Sequence, residues 1–287
     1  MSPERIQFLT KLKVRKCSPK TIYNYEQALL RLARHYNKSP LALSTEEIES
    51  FLLYELEVQK LAPATVNLHI GAFKKFFTLI APHSTVMNGI GKVKNVKKLP
   101  TVLTTDEIAD MIRYTSNSKH RAIIELLYCS GIRLSECINL RPSDIDGKNF
   151  LVHVIWGKGG KERYTILSKH TLETLREYFM RYRPKMYLFE GQGHKQYSER
   201  SVGKIVRSAA KRAGINKNVT PHTLRHTFAT HLLEQNVNLR TIQKLLGHSN
   251  IKTTTIYTHV SKATITNIAN PLDLLLSQGK QKKRRAA

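Results

Sequence analysis

The sequence predicts a mainly α-helical protein with a small antiparallel β-sheet, divided into two domains. Over residues 1–82, apolar side chains recur at helical spacing behind recognisable helix starts. Only residues 150–167 gather β-formers on both sides of a glycine-rich turn. The chain has 287 residues, and one domain commonly takes about 100 to 200. We therefore expect a helical N-terminal domain and an α+β C-terminal domain.

Residues 1–82 are predicted to form four helices and no strand. Ser18 and Pro19 give a capping residue followed by proline at the first helical position, where its missing N–H is harmless. Ser44 and Glu47 have the spacing of a capping box, in which each side chain bonds the other residue's backbone N–H. These signals fix where helices begin.

Residues 83–100 are interpreted as a flexible basic linker, because Pro, Gly, Asn and Ser interrupt the helical pattern there. A solvated linker that contacts nothing is the alternative. The candidate DNA-binding lysines of this segment are Lys92, Lys94, Lys97 and Lys98.

The second domain is predicted to span 101–270 and to begin with a helix at Thr104. A hairpin over 150–167 follows, with its turn at the Gly-Lys-Gly-Gly run. Further helices are expected at 168–183, 198–213, 221–235 and 239–246. Residues 271–287 end in a short basic run that we expect to lack fixed structure.

The charge of the chain points to a polyanionic partner. The 47 Lys and Arg against 21 Asp and Glu give a formal net charge of +26, and basic residues are in excess on both sides of Leu99. A run of about 18 apolar residues, which a membrane span needs, is missing. Nucleic acid is therefore favoured over a membrane surface.

The three cysteines do not form a Cys-x-x-Cys pair, which argues against a disulfide framework and against a cysteine zinc site. We expect a reducing cytoplasm, with association to the nucleoid. Cys129 and Cys137 flank apolar helical sequence and are interpreted as inert core thiols.

Two arginines are candidates for binding a phosphodiester. In-line attack concentrates negative charge on the non-bridging oxygens, and a planar guanidinium offers them paired donors. Arg133 follows Gly131, which can end the preceding helix, and Glu136 three residues on could hold its guanidinium. An ordinary surface pair between Arg133 and Glu136 is the alternative. Arg225 is the second candidate.

His222 lies three residues before Arg225 on a predicted helix, so the two side chains are neighbours. His248 follows a Leu-Leu-Gly helix end, and Tyr257 comes nine residues later. A phenol could act as nucleophile if a base or nearby cations helped it ionise. A buried core tyrosine is the alternative. His226 and His231 are interpreted as structural helix histidines.

The turn of the predicted hairpin carries Lys158, which could donate a proton to a leaving 5′ oxygen. Lys161 and Arg163 beside it could equally anchor phosphates, and for Lys158 both roles stay open. The run lacks the P-loop frame, and Thr223 stands where a His-Glu-x-x-His zinc motif needs Glu. We expect neither a metal ion nor a cofactor.

Taken together, these residues resemble the catalytic set of the tyrosine recombinases, the integrase and Xer family of DNA strand-exchange enzymes. The resemblance implies a helical core-binding domain followed by a catalytic domain, and a 3′-phosphotyrosyl intermediate. It assigns phosphate binding to both arginines and His248, nucleophilic attack to Tyr257, acid catalysis to Lys158 and assistance to His222. Glu136 would be a supporting residue. The catalytic set in chain order is Arg133, Lys158, His222, Arg225, His248 and Tyr257.

The resemblance also implies double-stranded DNA with paired half-sites as substrate, a dimer on each site and a tetramer in synapsis. Accessory proteins or a partner recombinase are possible additions. Residues 271–287 would dock on a neighbouring protomer through Leu272, Leu275 and Leu276. Two alternatives remain, namely a type IB topoisomerase-like enzyme that relaxes DNA and a non-catalytic DNA-binding protein on the same fold.

Overall fold

A computed structural model describes residues 2–95, 99–155, 162–248 and 250–259, with the side chains of Lys252 and His259 left out. The chain divides into two compact units, Met1–Lys97 and Lys98–Ala287. The described residues include no helix that is both long and apolar enough to cross a membrane.

The described part of the N-terminal unit contains four α-helices, as predicted. Three of them begin with proline in the first turn, and Ser18 caps the second by accepting a hydrogen bond from the Thr21 N–H. Ser44 and Glu47 form the predicted capping box. The helices are α1 (Pro3–Val14), α2 (Pro19–Tyr36), α3 (Thr45–Glu57) and α4 (Pro63–Ile80).

Helix α4 supplies more of the core of this unit than any other helix, because one long face of it is apolar and buried. Phe76 on α4 meets Phe8 of α1 edge to face, with ring centroids 5.3 Å apart. The carboxylate of Glu55 is also buried, and it lies 2.7 Å from His69 Nδ1 and 3.2 Å from Arg31 Nε. This ion pair satisfies a charge that burial would otherwise destabilise.

The segment after α4 differs from the flexible linker that the sequence predicted. Met87 and Ile90 are buried in the N-terminal core, and Asn67 on α4 pairs with the backbone N–H and C=O of Val93 at 2.9 Å each. The apolar side chains and this pair hold the segment on its own unit as far as Val93. Lys92 and Lys94 are exposed, whereas Lys97 and Lys98 lie outside the described residues.

The C-terminal unit contains seven described α-helices and a three-stranded antiparallel sheet. The helices are α5 (Thr105–Arg113), α6 (Ser118–Ser130), α7 (Leu134–Asn139), α8 (Lys169–Tyr182), α9 (Glu199–Arg212), α10 (Pro221–Glu234) and α11 (Leu239–Leu246). The strands are β1 (Ile145–Asp146), β2 (Leu151–Val154) and β3 (Arg163–Ile166). The predicted hairpin is β2 and β3, with Val152 opposite Thr165. Strand β1 was not predicted, because two residues show no alternation.

Helix α6 is the centre of this unit. Its residues from Ala122 to Leu127 are all buried, and it packs against both α8 and α10. A second apolar cluster lies where α10 meets α11, and it includes Phe228, Leu246 and Tyr257. The chain ends its described part in two 3₁₀ turns, Ile251–Thr253 and Thr255–His259.

Gly131 ends α6 in the left-handed conformation, with φ of 59°, and a Cβ there would lie 2.2 Å from the Phe228 ring. Gly131→Ala should therefore lower the free energy of unfolding for two reasons. The left-handed conformation costs alanine about 1–2 kcal/mol, and overpacking against Phe228 costs about 1–3 kcal/mol more. Gly214 (φ 70°) has no neighbour within 4 Å of such a Cβ, so Gly214→Ala is the matched control for the first term alone. Urea unfolding measures both, and equal losses would contradict the close packing at Gly131.

Candidate active site

Arg225 on α10 lies at the junction of two helix ends. Its side chain is buried, and Nη1 and Nη2 donate to the carbonyl oxygens of Gly131 and Leu246 at 2.6 and 2.7 Å. Both carbonyls belong to C-terminal ends of helices, which lack an intrahelical partner and attract cations. Burial and then the charge of Arg133 lower the pKa of Arg225 to about 9, so it stays protonated at neutral pH.

Arg133 is the N-cap residue of α7, and only Ile132 separates it from Gly131, the C-cap of α6. Its Nη1 donates to Glu136 Oε1 at 2.8 Å, and its backbone N–H donates to Glu136 Oε2 at 2.7 Å. Its Nη2 donates to the Gly247 carbonyl at 3.1 Å. Arg133 and Arg225 thus reach adjacent carbonyls at the end of α11. About a fifth of the Arg133 side chain remains exposed, which leaves it accessible to a ligand.

The Glu136 carboxylate is buried and holds two arginines. Beside Arg133, it accepts paired hydrogen bonds from Arg163 of β3, at 2.9 Å from Nη1 and 2.8 Å from Nη2. Burial works to raise the pKa of Glu136, but the hydrogen bonds and charge of Arg163 and the bonds of Arg133 outweigh it and lower the pKa to about 2. The carboxylate is therefore ionised throughout the neutral range.

The C-terminal end of α11 places His248. Gly247 takes the left-handed cap with φ of 64°, as the Leu-Leu-Gly pattern predicted. His248 Nδ1 lies 2.9 Å from the hydroxyl of Thr254, which is fully buried. Burial, followed by the charges of Arg225 and Arg133, lowers the pKa of His248 to about 4. At neutral pH it is an uncharged hydrogen-bonding group.

Tyr257 is packed against α10 with its side chain 1% exposed. Its hydroxyl lies 3.1 Å from Nδ1 of His226, and the two ring centroids are 5.7 Å apart. Burial raises the pKa of Tyr257, and the charges of Arg225 and Arg133 act in the opposite direction. The phenol is therefore both buried, as the core alternative predicted, and within electrostatic reach of the arginine pair.

His222 and His226 lie one helical turn apart on α10, with ring centroids 6.4 Å apart. His222 is the more exposed, and partial burial followed by the charges of Arg225 and Arg133 lowers its pKa. For His226, burial and then the neighbouring His222 lower the pKa to about 4. Both rings border the site, and His226 is uncharged at neutral pH.

The described part of the site has an excess of positive charge. Arg133, Arg163 and Arg225 lie around it, and Glu136 is the carboxylate that they share or face. Three carbonyls at the end of α11, one bonded to each arginine, offset part of the excess. A bound phosphodiester would supply a further negative charge, which makes this arrangement suited to an anionic ligand.

Two family models match this chain. The phage integrase family model matches residues 101–264, and the phage integrase N-terminal SAM-like domain matches residues 5–83. The chain belongs to the phage integrase family of tyrosine recombinases. The predicted fold class is confirmed by these matches and by the helical units around a small antiparallel sheet.

Individual recombinases are similar over most of their length. The XerD tyrosine recombinase of Oceanobacillus iheyensis is 34% identical, over 87% of this chain and 90% of its own. The XerC recombinase of Halalkalibacterium halodurans is 33% identical, over 89% of this chain and 92% of its own. A crystal structure of XerH recombinase bound to its difH substrate, before cleavage, has a TM-score of 0.71 and 25% identity, over 88% of this chain and 80% of that one.

Of the six residues predicted for catalysis, the structure brings together the two arginines, the two histidines and the tyrosine. Seven of the residues predicted for the site lie outside the described residues, namely Lys97, Lys98, Lys158, Lys161, Leu272, Leu275 and Leu276. Within the described ranges, no group of three or more His, Cys, Asp or Glu side chains could hold a metal ion.

Two residues near the site have partners that the sequence did not predict. His226 was interpreted as structural, yet it is the hydrogen-bond partner of Tyr257; its position four residues after His222, on the same helix face, was the available signal. Arg163 was expected to anchor a DNA phosphate, but its guanidinium is turned to the buried Glu136. The charge-assisted pair with a buried carboxylate explains the difference.

The interpretations of His231 as a structural histidine and of Cys137 as an inert core thiol agree with their surroundings. His231 is structural, because Nδ1 lies 2.9 Å from the Tyr128 hydroxyl and Nε2 lies 3.0 Å from the Leu103 carbonyl oxygen. Burial raises the pKa of Cys137 to about 12, so its thiol stays protonated and unreactive.

The histidine pKa values predict how stability depends on pH. His226 and His248 have pKa values of about 4 in the folded protein and an ordinary value of 6.5 when unfolded. The unfolded state therefore binds more protons between these values, and the free energy of unfolding should fall as the pH drops from about 6.5 to 4. A His226→Gln, His248→Gln variant should lose less stability over this interval than the parent. Chemical denaturation at several pH values tests this, and equal slopes would contradict it.

Proposed function

We propose that this chain is a site-specific DNA recombinase that cleaves and rejoins DNA through a 3′-phosphotyrosyl intermediate at Tyr257. The observation that carries the proposal is the placement of Arg133 and Arg225 on adjacent carbonyls of the α11 end, near a buried phenol. The similarity to XerC and XerD recombinases supports the same reaction class.

The first step is binding of the scissile phosphate. Arg133 and Arg225 face the non-bridging oxygens with charged donors that are already held in place, so little reorganisation is needed as charge develops. His248, uncharged and fixed by Thr254, adds a neutral donor. Because Glu136 is ionised and buried, it keeps the Arg133 fork oriented without being available to the phosphate itself.

The second step is attack of the Tyr257 oxygen on phosphorus. The bond from phosphorus to the 5′ oxygen breaks as the phosphotyrosine ester forms, and the phenol proton must pass to an acceptor. In the arrangement without DNA, His226 Nδ1 lies 3.1 Å from the hydroxyl and His222 stands one turn away, which makes both histidines candidate acceptors. A phosphate bound between the arginines would add negative charge and so favour protonation of these histidines.

Burial of Tyr257 has a consequence for this step. At 1% exposure, the phenol is covered, so a DNA phosphate reaches it only after the 3₁₀ segment Thr255–His259 shifts. We propose that the described arrangement is a resting state in which His226 holds the hydroxyl, and that DNA binding favours the shifted state.

The leaving 5′ oxygen needs a proton, and we propose Lys158 as the donor on the strength of the family resemblance. The freed 5′ hydroxyl then attacks the phosphotyrosine of a partner duplex. Each transfer replaces one phosphate ester with another, so no nucleoside triphosphate is consumed. His222 assists as base or as an orienting group.

We propose double-stranded DNA with paired half-sites as substrate, a dimer on each site and a tetramer in synapsis. Solved structures show lambda integrase as a dimer on a core site and as a tetramer on a Holliday junction. Residues 1–82 would form the core-binding domain and 101–270 the catalytic domain, joined by the basic segment 83–100. The 47 Lys and Arg exceed the 21 Asp and Glu, and positive charge favours binding to DNA phosphates. This supports a nucleoid-associated, cytoplasmic location.

Two other functions would use the same fold. A type IB topoisomerase-like enzyme would form the same adduct but relax supercoiled DNA without exchanging strands between duplexes. A non-catalytic DNA-binding protein would form no adduct. Selection of bound and cleaved sites from random and genomic DNA gives the substrate, and a two-duplex strand-exchange assay then separates the three.

Tyr257→Phe should retain site binding and abolish the covalent protein–DNA adduct, because only the nucleophilic oxygen is removed. A nicked substrate whose cleaved end diffuses away traps the adduct, and a denaturing gel measures it. Tyr164→Phe is the matched control, since Tyr164 is exposed on β3 of the same unit. An undiminished adduct in Tyr257→Phe would assign the nucleophile to another residue.

Arg133→Lys should lower the cleavage rate by about 10²–10³-fold while the net charge is unchanged, because the planar fork is lost. The rate is measured in a single turnover at saturating protein. Arg141→Lys, at an exposed arginine of the same unit, should cleave normally. If both variants cleave at the parental rate, Arg133 does not bind the reacting phosphate.

Lys158→Ala should slow cleavage of an ordinary phosphodiester but spare a substrate with sulfur at the 5′ bridging position, because a thiolate leaves without protonation. The two rates are compared in the same single-turnover assay. Equal defects on both substrates would reject Lys158 as the general acid.

A further inference from the structure

Each guanidinium nitrogen of Arg163 on β3 has a hydrogen-bond partner within the protein. Nη1 and Nη2 pair with the two Glu136 oxygens, and Nε donates to the Leu245 carbonyl at 2.8 Å. The side chain is 10% exposed. The fork therefore links the hairpin strand to α7 through Glu136 and to the last turn of α11 through Leu245.

Gly247 shows how closely this side chain is enclosed. A Cβ at Gly247 would lie 2.8 Å from Arg163 Cδ and 3.0 Å from Nε and Nη1. The glycine therefore serves the left-handed helix cap and the approach of Arg163 at the same time. His248 follows immediately, so the position of Arg163 bears on both Arg133, through Glu136, and His248, through the α11 end.

A direct phosphate contact by Arg163 would be costly. Its side chain is only 10% exposed, and turning the guanidinium to a phosphate would take donors away from the buried Glu136 carboxylate, whose charge depends on them. Arg133 differs, because Glu136 engages its Nη1 and its backbone, and part of its side chain is exposed. The two arginines on one carboxylate thus have separate tasks.

We propose that Arg163 is a positioning residue for strand cleavage, which holds Glu136 and the α11 end so that Arg133 and His248 meet the same phosphate. It does not contact DNA. This inference rests on the proposed recombinase function, and it replaces the phosphate-anchoring role expected from the basic run around Arg163.

The test separates binding from cleavage in Arg163→Lys, which keeps the charge but cannot donate to both carboxylate oxygens and the Leu245 carbonyl in one plane. The selected DNA site serves as probe. The dissociation constant and its dependence on salt should match those of the parent, whereas the cleavage rate at saturating protein should fall by about 10²-fold, as expected for a small misplacement of reacting groups. Arg141→Lys is the control for a charge-preserving change.

A double variant tests whether Arg163 acts through Glu136. Glu136→Gln with Arg163→Lys should cleave no more slowly than the slower single variant, because both disrupt one network. Thermal unfolding of each variant establishes that it is folded. Arg163→Gln, which removes the charge and keeps an amide donor, is measured alongside with the same expected results, and it takes the place of Arg163→Lys if that variant does not fold.

If the parental protein cleaves the site, three results would overturn the inference. In Arg163→Gln, which removes the charge, uniformly weaker binding with a salt slope reduced by about one would make Arg163 a phosphate contact. A normal cleavage rate in the variant would remove it from the reaction. Additive losses in the double variant would show that it acts independently of Glu136. If the parental protein itself forms no adduct, the proposed function fails instead.

Discussion

The candidate site depends on one buried carboxylate. Glu136 is 1% exposed in its side chain, and it is ionised because Arg163 and Arg133 surround it with donors. A buried charge is tolerated only when its hydrogen-bonding capacity is filled, so the carboxylate fixes the conformation of both arginines. The Arg163 side chain is 10% exposed and the Arg133 side chain 21%. The same interaction therefore stabilises the fold and presents a cation to a ligand.

The second constraint is the C-terminal end of α11, where three consecutive carbonyls accept from three different arginines. Leu245 accepts from Arg163, Leu246 from Arg225 and Gly247 from Arg133. A helix end normally leaves these carbonyls to solvent or to a capping residue. Here they gather cations at one point, with His248 next in the chain. Their partial negative charges do not cancel three full positive charges, which leaves the site ready for an anion.

Neutral histidines follow from the same electrostatics. His226 and His248 both have pKa values near 4, since burial and nearby positive charge disfavour another cation. A phosphodiester between the arginines would reverse part of that effect. We infer that the site without DNA keeps the Tyr257 proton in place and that substrate binding itself prepares proton transfer.

Much of the fold could be predicted from local signals. Capping residues and prolines marked the helix starts, and a glycine-rich turn between β-formers marked the hairpin. Strand β1 was too short to show a pattern. In the segment after α4, Met87 and Ile90 are apolar residues within a polar stretch, and they indicate that the segment packs on the N-terminal core.

The site was predictable in its residue types but not in its pairings. An arginine looks the same in sequence whether it will meet a phosphate or a carboxylate, and Arg163 lies 27 residues from Glu136. His226 resembled any helical histidine until Tyr257, 31 residues on, was placed against it. Pairings of this kind arise from tertiary packing, which no local pattern records.

The most direct test of this account is to locate the covalent bond between protein and DNA. The trapped adduct is digested with protease and nuclease, and tandem mass spectrometry identifies the modified peptide and the end of the nucleotide attached to it. We expect a single site, Tyr257, joined to a 3′ phosphate with a free 5′ hydroxyl on the released strand. A bond to any other residue, or to a 5′ phosphate, would contradict it.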